Sequence, residues 1–319
     1  MNKKLDLTHN SHFEFGYDGI PFRFRQNKDQ QWFARYGVCE RAPYSFDVEC
    51  FETAKLIRRL QPDPIWILFS GGADSEVVLR SFLQQNITVK VAILRFKNDL
   101  NIHDIAYAVI ACEKLHVSYQ FFDLDLLKFW ENEALDLAKS AQCITPLLLP
   151  TMWLVDQLDG YSVLGSGECL LVKRVPSDYV PGVSVYPNSK WDLYEKEKIA
   201  AWYRHFMVIG RSGCPGFFQF TPELIGSYFN DRIVNSLVNN QIVGKLSTES
   251  SKLLIYQQYF NLLERKKYTG FEKVHEVQMV LRKELENLFP FHDQITKSEV
   301  FELKNHLLSN VNYKTEVSN

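Results

Sequence analysis

The sequence predicts an α/β protein: a doubly wound parallel sheet, preceded by a small N-terminal β-rich extension and followed by a helical C-terminal region. Three observations lead to that class. Between residues 64 and 164, short apolar runs alternate with segments of helical spacing, the order β-α-β-α. Over residues 12–40 apolar residues recur with a period of two, and after residue 185 the strand signals fade into helical ones. A chain of 319 residues can bury one or two cores, and it divides accordingly into 1–60, 61–185 and 186–319.

Taken in order, Phe13-Glu14-Phe15 and Phe22-Arg23-Phe24-Arg25 alternate as half-buried strands do. Gln26–Gln31 is polar enough for a turn into a third strand over Trp32–Tyr36. A helix is expected over 46–60, with Phe51, Ala54, Leu56, Ile57 and Leu60 along one side. Ile65–Phe69 is wholly apolar, as a parallel strand covered on both faces must be. Glu76–Gln85 is then helical, Val89–Leu94 a strand, Ile102–Leu115 a helix, Val117–Phe122 a strand, Asp125–Ala141 a helix and Tyr161–Leu164 a strand. Ligands of such sheets sit beyond the carboxyl ends of the strands. Lys190–Val208, Glu223–Val238, Glu249–Glu264 and Phe271–Leu288 read as helices, with Gly210–Gly216 a loop between the first two.

Composition narrows the function. The 36 basic residues nearly balance 38 acidic ones, so no basic excess points to a nucleic-acid backbone. A small-molecule substrate is therefore preferred to tRNA or other nucleic acid. Six scattered cysteines without a Cys-x-x-Cys pair fit neither a zinc ribbon nor an iron–sulfur cluster, and reduced thiols are expected. The first residues lack the apolar run of a signal peptide, and no stretch approaches the ~18 apolar residues of a membrane span. A cytoplasmic protein without a membrane partner is expected, and a homodimer is compatible with the sequence.

The chemistry concentrates in Ser70-Gly71-Gly72-Ala73-Asp74-Ser75, between a buried-type strand and a helix. Gly71 and Gly72 remove the side chains that would keep a polyphosphate from the backbone, and the helix that follows aims free N–H groups at the anion. Ser70 and Ser75 offer hydroxyls. Asp74 would repel phosphate unless Mg²⁺ bridged the two. Neither a Walker loop nor a dinucleotide loop has this spacing.

The string resembles the Ser-Gly-Gly-x-Asp-Ser pattern of the PP-loop ATP pyrophosphatases (N-type, HUP-like), over residues 61–175. That superfamily includes asparagine, β-lactam, GMP and NAD synthetases, tRNA-thiolating and lysidine-forming enzymes, and phosphoadenosine phosphosulfate reductases. The resemblance implies a five-stranded parallel sheet and cleavage of ATP to AMP and pyrophosphate. Asn101–Ala108, Leu115-His116 and Asp123-Leu124-Asp125 resemble the asparagine-synthetase-like branch. Gly165-Ser166-Gly167-Glu168 falls where that branch carries an acidic loop for pyrophosphate and Mg²⁺. The family offers an Asp-Glu pair there, whereas this chain has Glu168 followed by Cys169. With Asn2 where that branch has its cysteine nucleophile and about 60 residues before the sheet, no glutaminase domain is expected, and a nitrogen donor would be free ammonia, an amine, or ammonia from another subunit.

On that resemblance ATP would contact Ser70–Ser75, Leu94, Arg95, Phe96 and Gly165–Gly167, with Mg²⁺ on Asp74 and Glu168. Lys173 and Arg174 would neutralise departing pyrophosphate, or else form a solvated pair. Arg211 could hold a carboxylate, and Cys143 or Cys214 could serve a thiolating enzyme. The expected function is an AMP-forming ligase joining an activated carboxylate or carbonyl to a nitrogen nucleophile. Its rivals are a nucleic-acid base-modifying enzyme with a basic face such as Arg265-Lys266-Lys267, a phosphosulfate reductase, and a non-catalytic nucleotide-binding module.

Overall fold

The computed structural model describes residues 12–173, 190–239, 248–262, 269–290 and 294–311. The strands are β1 Phe13–Tyr17, β2 Ile20–Pro21, β3 Trp32–Tyr36, β4 Ile65–Leu68, β5 Lys90–Phe96, β6 Tyr119–Leu124, β7 Tyr161–Leu164, β8 Leu171–Lys173, β9 Trp191–Lys196, β10 Gly213–Cys214 and β11 Ile295–Glu299. The helices are α1 Phe46–Leu60, α2 Ala73–Leu83, α3 Ile102–Lys114, α4 Leu126–Asn132, α5 Ala134–Ala141, α6 Leu149–Gln157, α7 Ala200–Ile209, α8 Pro222–Asn230, α9 Arg232–Val238, α10 Thr248–Phe260, α11 His275–Leu288 and α12 Val300–Leu307. No described helix is long and apolar enough to cross a membrane.

Five strands form an all-parallel sheet in the order β10-β7-β4-β5-β6. Counted along the chain this is 3-2-1-4-5, a doubly wound order whose direction of winding reverses between β4 and β7. Both of these central strands are buried at every residue, which is why their sequences are apolar without alternation. The loops that leave β4 and β7 therefore meet at the switch point, where such sheets bind ligands.

Two antiparallel sheets flank the core, β2-β1-β3 and β11-β9-β8. They are joined by charge buried between them. Glu197 accepts hydrogen bonds from Tyr17 and from Arg25 Nη1, the latter at 3.1 Å. Arg204 reaches the same cluster, donating to Tyr17 at 3.4 Å and to the carbonyls of Ala141 and Gln142 at 2.8 and 3.0 Å. Phe13 and Phe15 pack on Tyr203 beside it, with ring centroids 5.6 and 5.1 Å away.

Several local expectations are corrected. Phe22–Arg25 is not a strand: Phe22 has a φ of 56°, and Arg25 turns inward to Glu197. The buried stripe of α1 runs through Phe46, Glu49, Cys50, Thr53, Ala54 and Ile57, while Leu60 is exposed. Glu49 is tolerated there because Arg41 grips it at 2.5 and 2.8 Å and the Tyr44 N–H donates at 2.6 Å. Asp125–Ala141 is two helices rather than one. The expected helix over Lys190–Val208 starts as strand β9, passes through a 3-10 turn at Glu197–Ile199 and becomes α-helical only from Ala200, so the C-terminal region is mixed rather than helical. The Gly210–Gly216 loop contributes β10 to the parallel sheet. Two strand pairings thus cross residue 185, β8 with β9 and β10 with β7.

Removing one partner of a buried ion cluster leaves the others unpaired, at a cost of about 3–5 kcal/mol. Glu197→Ala should lose stability on that scale in equilibrium urea denaturation. A loss near that of an exposed pair, below about 1 kcal/mol, would show that Arg25 and Arg204 are satisfied without it.

Candidate functional site

The loop after β4 leaves the sheet at once. Phe69 N–H still donates to Ala92 C=O at 2.9 Å, as a ladder residue would. Gly71 then takes a φ of 78°, and a Cβ there would stand 2.2 Å from the Asp104 carbonyl oxygen, so only glycine fits. Gly72 caps the start of α2 in extended conformation. The two serines brace the turn: Ser70 Oγ accepts from Gly72 N–H at 3.2 Å and lies 3.2 Å from Ser75 Oγ, which donates to Gly72 C=O at 3.0 Å.

With β4 ended at Leu68, β5 runs on to Phe96 without a neighbour on that side. The carboxamide of Asn101 takes the missing place. Its Nδ2 donates to Leu94 C=O and its Oδ1 accepts from Phe96 N–H, both at 2.9 Å, the two bonds one residue of a parallel neighbour would make.

Above this end of the sheet lies a cavity of about 360 Å³. Its floor is Ser70–Asp74 with Leu68, Phe69, Ala92–Leu94 and Phe96; one side is Asn101, Asp104 and Ile105, another is Leu147, Pro150, Thr151 and Leu154. The C-terminal region closes it with Lys252, Leu253, Thr269 and Phe271. Phe271 meets Phe96 edge-on at 5.4 Å and stacks on Trp130 at 5.9 Å. Gly270 lets it approach, because a Cβ there would stand 2.3 Å from the Leu100 carbonyl oxygen.

The acidic groups converge at the Ser70–Asp74 end of the cavity. Asp74, in the first turn of α2, accepts from Lys252 Nζ at 3.0 Å and from Tyr256 OH at 2.9 Å. The same ammonium donates to Glu168 at 3.2 Å. Burial raises the Glu168 carboxyl above its usual range, the Asp74 charge adds to that, and Lys252 pulls it back. Burial by itself would lower Lys252, but Asp74 and Glu168 together outweigh it and hold the amine more firmly protonated. Glu168 follows a loop fitted closely to its surroundings. A Cβ on Gly165 would stand 2.9 Å from Ser75 N; Ser166 Oγ donates to Pro215 C=O; Gly167, with a φ of 84°, abuts the Gln219 side chain.

Ser70–Asp74, Leu94 and Phe96 therefore line one cavity, and Glu168 joins them through Lys252. Ser75 sits behind the loop, and Gly165–Gly167 support it from the β7 side. Arg95 points to the opposite face of the sheet from Leu94 and Phe96, as alternation along a strand requires; it lies over Phe121 and donates to Asp123 at 2.5 and 2.8 Å. Lys173 belongs to β8, with its ammonium 5.8 Å from the Trp191 ring rather than on the cavity. Arg174 and Arg265–Lys267 lie outside the described residues. Arg211 is committed to carbonyls at the end of α6, donating to Val155 at 3.1 Å and to Leu158. Cys143 and Cys214 are buried, and burial raises both thiols, Cys143 to about 11, which disfavours a thiolate nucleophile.

Lys252 and Tyr256 were not singled out from sequence. Lys252 lies 178 residues beyond Asp74, and nothing in its neighbourhood but a helical pattern marks it. The carboxylates fit a magnesium ion: they are hard oxygen donors, and an ammonium already stands in for a cation between them. Among the described residues no group of three or more His, Cys, Asp or Glu side chains could hold a metal. No protein-family model matches the chain, and no curated protein matches it in sequence.

Behind the acidic loop, Glu195 of β9 is buried with Tyr36 OH and Gln219 Nε2 donating to it, the latter at 3.0 Å. Burial raises its carboxyl to about 7 against the pull of those two donors. The folded protein therefore keeps this proton between pH 4.5 and 7, where the unfolded chain releases it. Stability is full below that window, falls as pH rises through 7, and then levels off, a total loss of about 3 kcal/mol at 1.36 kcal/mol per unit. Urea unfolding at pH 5 and pH 8 should show about 2.5 kcal/mol of that loss for the native chain relative to Glu195→Gln; equal pH dependence in the two would refute it.

Proposed function

We propose that the chain is an ATP-dependent ligase that cleaves ATP to AMP and pyrophosphate and activates a carboxylate or carbonyl for a nitrogen nucleophile. The observation that carries this is the glycine loop at the switch point, opening onto the first turn of α2 and facing two carboxylates and one ammonium. Adenosine would lie against Leu94, Phe96 and Phe271, within the roughly 300–1,000 Å³ range of ligand pockets. The polyphosphate would run over Gly71–Asp74, where the N–H groups at the start of α2 favour an anion.

Mg²⁺ held by Asp74 and Glu168 would neutralise phosphate charge and fix the geometry of the leaving pyrophosphate. Lys252 would supply the other positive charge, and Tyr256 would hold the Asp74 carboxylate in place. An acceptor oxygen attacks the α-phosphorus, the bond to the β-phosphate oxygen breaks, and the nitrogen nucleophile then displaces AMP. Rate comes from positioning and charge, because the charge that develops lies on phosphate oxygens. The buried thiols count against sulfur transfer, and the balanced charge favours a small-molecule acceptor over a nucleic acid.

Exchange of labelled pyrophosphate into ATP, with Mg²⁺ and pools of amino acids, small carboxylic acids or bulk tRNA, tests the reading. One pool should stimulate exchange, and Asp74→Ala should lower it by about a hundredfold or more. No exchange with any pool, together with no ATP binding by calorimetry, would remove the ligase reading.

A further inference from the structure

The two carboxylates that suit a divalent cation already hold a cation of the chain's own. Lys252 Nζ lies 3.0 Å from Asp74 Oδ2 and 3.2 Å from Glu168 Oε1, and Tyr256 OH occupies the other Asp74 oxygen at 2.9 Å. Lys252 and Tyr256 stand one turn apart on α10, so one helix face makes all three contacts. The Lys252 side chain is only 16% exposed, which turns its charge inward rather than leaving it to water.

These oxygens cannot serve two cations in the same geometry. Mg²⁺ binds a carboxylate oxygen at about 2.0–2.1 Å and demands a nearly complete octahedron around it. An ammonium that bridges both carboxylates would stand in the metal's own coordination shell, positive charge against positive charge. For both acids to reach a metal, Lys252 has to withdraw, and it then needs another anion.

We propose that Lys252 and a divalent cation compete for the Asp74–Glu168 pair, so that Mg²⁺ binds this chain weakly by itself and enters together with the nucleotide. The second half rests on the nucleotide reading above: the polyphosphate supplies the anion to which the displaced ammonium turns. Lys252 is a positioning residue in this scheme, deciding when the metal site is open. Its neighbour Leu253 lines the cavity, so the residue that yields the site adjoins a wall the nucleotide would touch. An ammonium holding the site in about nine molecules of ten weakens the apparent metal affinity about tenfold.

The probe is Mn²⁺, which also favours oxygen ligands and whose free-ion electron paramagnetic resonance signal falls on binding. It is titrated without nucleotide into the full chain, Lys252→Met and Lys252→Arg. Lys252→Met should bind about tenfold more tightly than the native chain, whereas Lys252→Arg, which keeps a positive charge in place, should not. Equal affinities for the native chain and Lys252→Met overturn the competition. Equal tightening in the Met and Arg variants overturns it too, because charge would not be the cause. Lys252→Gln, a neutral side chain that can still donate to the carboxylates, carries the comparison if the Met variant does not fold. A separate arm titrates α,β-methylene-ATP, with Mg²⁺ present, into the native chain by calorimetry. No heat there defeats the nucleotide reading and leaves the Mn²⁺ comparison to decide the competition.

Discussion

Everything at the carboxyl end of the sheet depends on how closely Gly71 approaches the Asp104 carbonyl. No side chain fits between them, so the chain can turn out of the sheet one residue after the last β4 contact. That turn leaves the end of β5 without a neighbour on the β4 side, opens the cavity over Leu94 and Phe96, and sets the loop directly against α3. The edge it uncovers would cost unsatisfied backbone groups, and Asn101 answers with a carboxamide in place of a strand. Ser70 and Ser75 spend their hydroxyls inside the turn. The loop's amides are thus fixed before any ligand arrives, the condition under which dipoles stabilise charge without reorganising.

Charge binds the remote parts of the chain to that frame. Asp74 and Glu168 lie in the segments that follow two neighbouring sheet strands, β4 and β7, and two carboxylates this close need a positive charge between them. The charge comes from α10, far along the chain, and it fastens that helix where the cavity needs a wall. The same arrangement recurs where Glu197 gathers Tyr17 and Arg25 from the N-terminal segment, with Arg204 of α7 at its edge. In both places acid and base lie on different segments. Aromatic packing such as Phe13 and Phe15 on Tyr203 tolerates some sliding, whereas a buried charge left off its partner is heavily penalised.

How legible each part was follows from the range of the interactions that fix it. Ile65–Phe69 and the turn at Ser70–Ser75 could be read because burial on both faces and a close backbone approach at Gly71 each demand residue types in one short stretch. Strand β9 misled because Asp192 and Glu195 are buried in it, each among the residues that composition assigns to water. Helical spacing then carries the reading of Lys190–Val208 as one helix across it. Phe22–Arg25 alternates correctly for a strand, yet Arg25 is drawn inward by Glu197, a partner 172 residues away. Strand β10 is two residues long, too short to leave a periodic trace. Asn101 looks like any residue before a helix, and its ladder role exists only because β4 stops early. Lys252 and Tyr256 carry no local signal, since what singles them out is the pair of acids they meet.

The cavity therefore belongs to no single segment. The sheet supplies the glycine loop and one apolar wall, but the ammonium comes from α10 and the opposing aromatic from Phe271, held against Leu100 by the conformation of Gly270. A ligand that touched the loop and Phe271 together would bind only the form in which these parts are docked. By linkage its binding free energy would then add to the stability of the docking itself. The carboxylate pair pulls in the same direction, because α10 cannot leave without stranding Asp74 and Glu168. The contacts that keep the C-terminal region in place are thus the contacts a ligand would use, and the site and the tertiary fold stabilise each other.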